Sequence, residues 1–325
     1  MNANDERFLA SLREDPPAAL DENLRRKLQQ LERETPVPHR SFWRPALVAA
    51  SAALVIGGLA ASPTARAAAS ELLEVFRVRR FAAVPVDSER LARLQKGDID
   101  LKGLLSDSVE VLEDPGPPEV VANADAAAQA AGFALRSPAW LPSKAELAEV
   151  RVTGRGSARF TIDAERAKTI LDALGVADAN LPPGVDGAVG SVVTSPAVTF
   201  RYTRGSSEIL FTQARAPIVT LPQGLDLESL GELALRAAGM EPDEARLFAR
   251  KVDWRGTLLV PVPAVGGHFR DVEVRGQRGL VVSHVSESGK GPRRSILLWS
   301  EGDRVFALAG RGEGVELLEM AESLS

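Results

Sequence analysis

The chain has no cysteine, and only three histidines, three methionines and one tyrosine among its 325 residues. Disulfides and thiol nucleophiles are therefore excluded, and so is a zinc site of the common Cys/His type. Neither sign of charge dominates: the net charge is -5, with 26% charged and 45% hydrophobic residues. That balance excludes a disordered chain and a polybasic one, and no direct nucleic-acid binding is expected. No Gly-x-Ser-x-Gly elbow occurs, which removes a common setting for a serine hydrolase. Ser288-Gly289-Lys290-Gly291-Pro292 has the lysine of a phosphate loop without the full Gly-x-x-x-x-Gly that should precede it. Pro292 also stands where a helix should be under way, so a basic hairpin tip is expected instead.

His268 and His284 lie near Asp271, Glu273 and Glu287. Period-2 alternation nevertheless puts His268 and Arg270 on one side of a strand, and Asp271 and Glu273 on the other. Exposed strand histidines are expected there rather than a metal site. Asp98 and Asp100 sit in a polar linker with nothing to bury them. No catalytic residue, cofactor site or metal site emerges, and the chain reads as non-enzymatic.

What is present is an uncharged run at residues 45–65. At 1.5 Å per residue it is long enough to cross a hydrocarbon core of roughly 30 Å as one helix. Insertion rewards Leu, Ile and Val, supplied here only by Leu47, Val48, Leu54, Val55, Ile56 and Leu59, so the alanine-rich span is a weak one. A buried core helix would show a polar face, and between residues 45 and 63 only Ser51 and Ser62 bear hydroxyls. A secretory signal has a short basic start, whereas 44 residues precede this run, although Ala65-Arg66-Ala67 resembles a small-x-small cleavage site. A transmembrane anchor is the reading retained. Arg25, Arg26, Lys27, Arg33, Arg40 and Arg44 flank it on one side, and Arg66, Arg77, Arg79 and Arg80 on the other. The bias places the N-terminus in the cytoplasm and the long C-terminal part outside it. Ala49, Ala53, Gly57 and Ala61 repeat at four-residue spacing, a smooth strip through which two spans could self-associate, though an alanine-rich run yields such spacings by chance.

Four parts follow: a cytoplasmic helical segment (1–44), the span (45–65), a juxtamembrane helix, strand and linker (66–118), and an extracytoplasmic α+β domain (119–325). In the first, Phe8, Leu9 and Leu12 mark a helix ended by Asp15-Pro16-Pro17. Asp21 can cap a second helix, whose Leu24, Leu28 and Leu31 form an apolar stripe beside Arg25, Arg26, Lys27, Gln29, Gln30 and Glu32. So short a helix needs a partner for its stripe, whether the first helix, the bilayer surface or a groove in a cytoplasmic protein. After the span a helix is expected to run on through residues 67–76, before 78–86 turns extended. A short helix with Leu91 and Leu94 follows, and Asp114-Pro115-Gly116-Pro117-Pro118 breaks the chain.

Beyond that break, helices are expected at 123–131, 163–174, 226–238, 242–251 and 314–324. Gly132, Gly175 and Gly239 close the first three, and Pro242 opens the fourth. Strands are expected at 148–153, 158–162, 189–194, 198–202, 208–213, 257–261, 268–275, 280–285, 295–299 and 305–309. Hairpins at Arg204-Gly205, Arg275-Gly276 and Glu301-Gly302 make the sheet mostly antiparallel, with packed helices: the α+β class.

The opening Phe8-Leu9-Ala10-Ser11-Leu12-Arg13-Glu14-Asp15-Pro16-Pro17, one span and an outer α+β region resemble bacterial single-pass anti-sigma-factor-like membrane proteins. Ala127-Ala128-Gln129-Ala130-Ala131-Gly132-Phe133 followed by Pro138-Ala139-Trp140-Leu141-Pro142 is similar to the opening of an extracytoplasmic domain of unknown function found in them. Leu297-Leu298-Trp299, Phe306-Ala307-Leu308 and residues 317–324 resemble its close. Related folds occur in lipoprotein carriers and in periplasmic regulators of sigma-factor release. The His-x-x-x-Cys-x-x-Cys pattern of the zinc-binding members is missing. The resemblance implies a regulator whose outer domain senses an envelope signal and whose inner helices hold a cytoplasmic partner such as a sigma factor, with Leu24, Leu28 and Leu31 as the contact. The alternative is an anchored carrier-like domain that binds an apolar ligand such as lipid.

Overall fold

A computed structural model describes residues 73–87, 108–176, 178–284, 293–312 and 314–325. The expected span, the leucine stripe and the short helix with Leu91 and Leu94 lie outside the described residues. Among the described residues no helix is long and apolar enough to cross a membrane.

In chain order the elements begin β1 (Leu73–Arg77), β2 (Arg80–Val86), β3 (Val109–Glu113), β4 (Glu119–Val121), α1 (Ala124–Ala131), β5 (Glu146–Thr153) and β6 (Gly156–Thr161). They continue with α2 (Ala164–Ala173), β7 (Val189–Thr194), β8 (Ala197–Arg204), β9 (Ser207–Arg215), β10 (Ile218–Pro222), α3 (Leu227–Ala237) and α4 (Pro242–Lys251). The last are β11 (Thr257–Pro263), β12 (Gly267–Val274), β13 (Gln277–His284), β14 (Arg294–Glu301), β15 (Arg304–Arg311) and α5 (Val315–Glu322). Local chemistry sets the helix ends. Asn123, Asp163 and Asp226 each accept a hydrogen bond from a backbone N–H three residues on, relieving a donor that the first turn cannot pair. Gly132 takes the left-handed conformation that ends α1.

Most strands fall into two antiparallel sheets, one in the order β1-β10-β7-β6-β3 and one in the order β12-β13-β14-β15-β9-β8-β5-β4. Four neighbouring strands of the smaller sheet, β10, β7, β6 and β3, run directly on from or into β9, β8, β5 and β4 of the larger, in the same lateral order. The two sheets are thus arms of one folded sheet. Its crease is a row of strand breakers: Pro115 and Pro117-Pro118, Gly154-Arg155, Ser195-Pro196 and Ala216-Pro217. Neighbouring breaks are stitched together, since Gly154 N–H donates to Pro115 O (3.1 Å) and Arg215 N–H to Ser195 Oγ (3.0 Å). The 114–118 break is one corner of this crease, and pairing crosses it through β3–β6 and β4–β5.

One face of the larger sheet carries the main core. Phe200, Phe211, Trp299 and Phe306 stack in nearly parallel planes, with Trp299 and Phe306 centred 5.0 Å apart. Leu317, Met320 and Ala321 of α5 and Ala127 and Ala131 of α1 cover them. The short side chains of α1 let its backbone come close to the sheet. On the opposite face β2 and β11 form a parallel ribbon. Ala83 and Val262 of the ribbon pack on Leu280 of β13, and Val84 packs on Leu235, Ala245 and Ala249 of α3 and α4. Burial on both sides is what a parallel pair requires.

The helix expected through residue 76 is not formed over 73–76. Leu73–Arg77 is a strand paired with β10 along its length, with Phe76 buried and Val75 65% exposed. Five alternating residues are too short a signal to outweigh the helix-forming alanines before them, and the pairing that decides the matter comes from far along the chain. β3, β4 and β10 were likewise not anticipated.

Candidate functional site

Leu24, Leu28 and Leu31, and Ala49, Ala53, Gly57 and Ala61, lie outside the described residues, as do Asp98 and Asp100. The two strand histidines are described, and both are exposed. His268 pairs with Ser283 and His284 with Gly267, so the histidines occupy adjacent strands one register step apart. Opposed residues share a face and successive residues alternate, which puts the two imidazoles on opposite faces of the sheet. Among the described residues no three His, Cys, Asp or Glu side chains group to hold a metal.

The buried polar side chains are engaged in holding the fold. Ser283 Oγ lies 2.7 Å from Ser295 Oγ, which donates to Gly312 O (2.6 Å). Gln213, wholly buried on β9, donates to Arg136 O and accepts from Arg136 N–H, both at 2.9 Å. Arg136 in turn pairs with Glu301, which also accepts from Arg275 Nε (3.2 Å) and Trp299 Nε1 (3.2 Å). Arg275 N–H donates to Glu322 Oε1 (2.8 Å), and its guanidinium reaches the Leu324 carbonyl. The last residues run beside 137–139, with Ser325 N–H donating to Ser137 O (3.1 Å) and Ala139 N–H to Ser323 O (3.0 Å). Together these bonds form a clasp that fastens α5 and the tail over the aromatic stack. Breaking one partner would leave a partly buried charge uncompensated.

Two hollows on the surface of the described residues are open ones. One of about 620 Å³ beside α1 is lined by Asn123, Asp125, Gln129 and Phe133. Another of about 390 Å³ at the start of α5 is lined by Arg204, Arg311 and Glu316. Arg204 donates to Glu316 Oε1 (2.8 Å), and that bond raises its pKa further. Neither hollow is an enclosed apolar cavity.

A concentration of like charge stands out where β1 passes into β2. Arg77, Arg79 and Arg80 are all exposed on this bend. Its backbone is fixed: Arg77 N–H donates to Arg255 O (3.3 Å), and Arg79 and Arg80 N–H both donate to Gly256 O (2.8 and 2.9 Å). Gly256 sits close under this bend, where an added Cβ would lie 2.8 Å from Asp253 Oδ2 and 3.2 Å from Arg79 Nε, both on exposed side chains. Three exposed arginines thereby share one bend, with the backbone of Arg255 and Gly256 against it. The only ion pair among the described residues that involves Arg77, Arg79 or Arg80 joins Arg79 to Asp253 (3.7 Å) and is largely exposed, a geometry worth little in water. In the sequence these arginines were visible only as a flank of the apolar run; the backbone of Arg255 meets them through folding.

Compared with protein-family models, with curated proteins and with solved structures, the chain matches none of them.

Proposed function

We propose that the chain is a membrane-anchored, non-enzymatic regulatory protein of the anti-sigma-factor-like kind, in which an extracytoplasmic domain is coupled to a cytoplasmic helical segment. The observation that carries this reading is the closeness of the uncharged run to the described fold. Only residues 66–72 separate Ala65 from Leu73, the first residue of β1. β1 is paired with β10 from Leu73 to Arg77, and β2 is buried between the larger sheet and α3–α4. A pull on this tether acts on paired and buried strands rather than on a loose linker, so a rearrangement outside can be felt at the span. The carrier-like alternative needs an apolar cavity, and the hollows described beside α1 and α5 supply none.

The inner segment is tested through its stripe. Crosslinking the full chain in its native membrane should recover a cytoplasmic protein, and Leu24→Asp, Leu28→Asp and Leu31→Asp together should cut that recovery by about tenfold or more, since each leucine gives up an apolar contact. Recovery of no cytoplasmic partner by the unaltered chain would count against the regulator.

A further inference from the structure

We infer that the bend carrying Arg77, Arg79 and Arg80 is a docking surface for the anionic phospholipid headgroups of the membrane that holds the chain. The inference rests on the anchored reading of residues 45–65. Chain length makes it reachable. The seven residues 66–72 span at most about 25 Å fully extended, and β1 then leads straight to the bend. Docking within so short a tether is an intramolecular event, so a few weak contacts suffice to populate it.

The chemistry selects the partner. Arg77 and Arg80 have no acid partner among the described residues, and Arg79 has only the exposed contact with Asp253. Guanidinium groups match phosphate oxygens with paired donors. A bend pinned by three backbone hydrogen bonds presents them at no further cost in backbone freedom. Val75, 65% exposed and of the same strand parity as Arg77, adds an apolar contact at the interface.

The absence of cysteine makes the test clean. The full chain carrying Val75→Cys, labelled with an environment-sensitive fluorophore, is reconstituted in vesicles of phosphatidylcholine alone or mixed with phosphatidylglycerol, each with a headgroup-attached spin-label quencher. Quenching should be several-fold stronger in the anionic vesicles, and should fall to the phosphatidylcholine level in high salt or with Arg77→Gln, Arg79→Gln and Arg80→Gln combined. A label at Ser206→Cys, on the β8–β9 hairpin turn at the strand ends away from the crease, should stay unquenched throughout. The lipid and salt comparisons use the unaltered arginines, so they stand whether or not the triple variant folds. Equal quenching in both lipids, or equal quenching at Ser206→Cys, would overturn the docking surface while leaving the anchor intact. Loss of the chain from vesicles in alkaline carbonate would overturn the anchored reading and the docking surface with it.

Discussion

Tyr202 is the only phenol in the chain, and β8 carries it into the core beside Phe200, where it is 4% exposed. Burial penalises the phenolate and pushes its pKa up from 10.0 to about 12. Below pH 10 both the folded and the unfolded chain keep the proton, so this group adds no pH dependence. Between about pH 10 and 12 the unfolded chain gives it up first, and stability falls as pH rises. Phenolate absorbance of the folded protein should half-develop near pH 12, and Tyr202→Phe should remove that part of the alkaline slope. Half-development near pH 10 would contradict the burial. Alternation along β8 makes the inward side of Tyr202 readable from sequence. Gln213 is different: a polar residue among aromatics signals nothing by itself, and its role depends on the backbone of Arg136, reached only in the folded chain. The basic bend is intermediate, since its three arginines fall within four residues of sequence while the backbone of Arg255 and Gly256 reaches it by tertiary contact.

Helices and hairpins were legible because their determinants are local: a capping side chain, a closing glycine, a two-residue turn. The expected helix at residues 242–251 and strand at 189–194 match the observed bounds. β3, β4 and β10 were not legible. They are three to five residues long, bounded or interrupted by proline, and stable only through pairing with distant partners. The crease they share explains those prolines as corners of a folded sheet, a role a linear reading takes for a linker. At Gly154 the crease is tight, for an added Cβ would sit 2.7 Å from Pro115 O. Gly154→Val should therefore lower stability by about 1 to 3 kcal/mol, as overpacking does, read as a lower urea midpoint. An unchanged midpoint would show that the two corners do not bear on each other.

At the scale of the whole molecule, two physical demands meet in one chain. An uncharged run of 21 residues at 45–65 favours a bilayer, and the folded sheet beyond it carries its polar edges and arginines toward water. On the proposed anchored reading, the leucine stripe at Leu24, Leu28 and Leu31 and the basic bend would be contacts on opposite sides of one membrane. The α+β class and the closing helix were readable in advance, whereas the weaving of residues 73–86 into both the smaller sheet and the buried ribbon was not, because it depends on β10 and β11 far along the chain. The most direct test is topology by single cysteines in a chain that has none of its own. In intact cells with the outer envelope made permeable, a membrane-impermeant maleimide should label Gln277→Cys, exposed at the start of β13, and should label Ser11→Cys only after the inner membrane is opened. Equal labelling of both before opening, or labelling of Ser11→Cys alone, would contradict an anchored chain with its N-terminus inside.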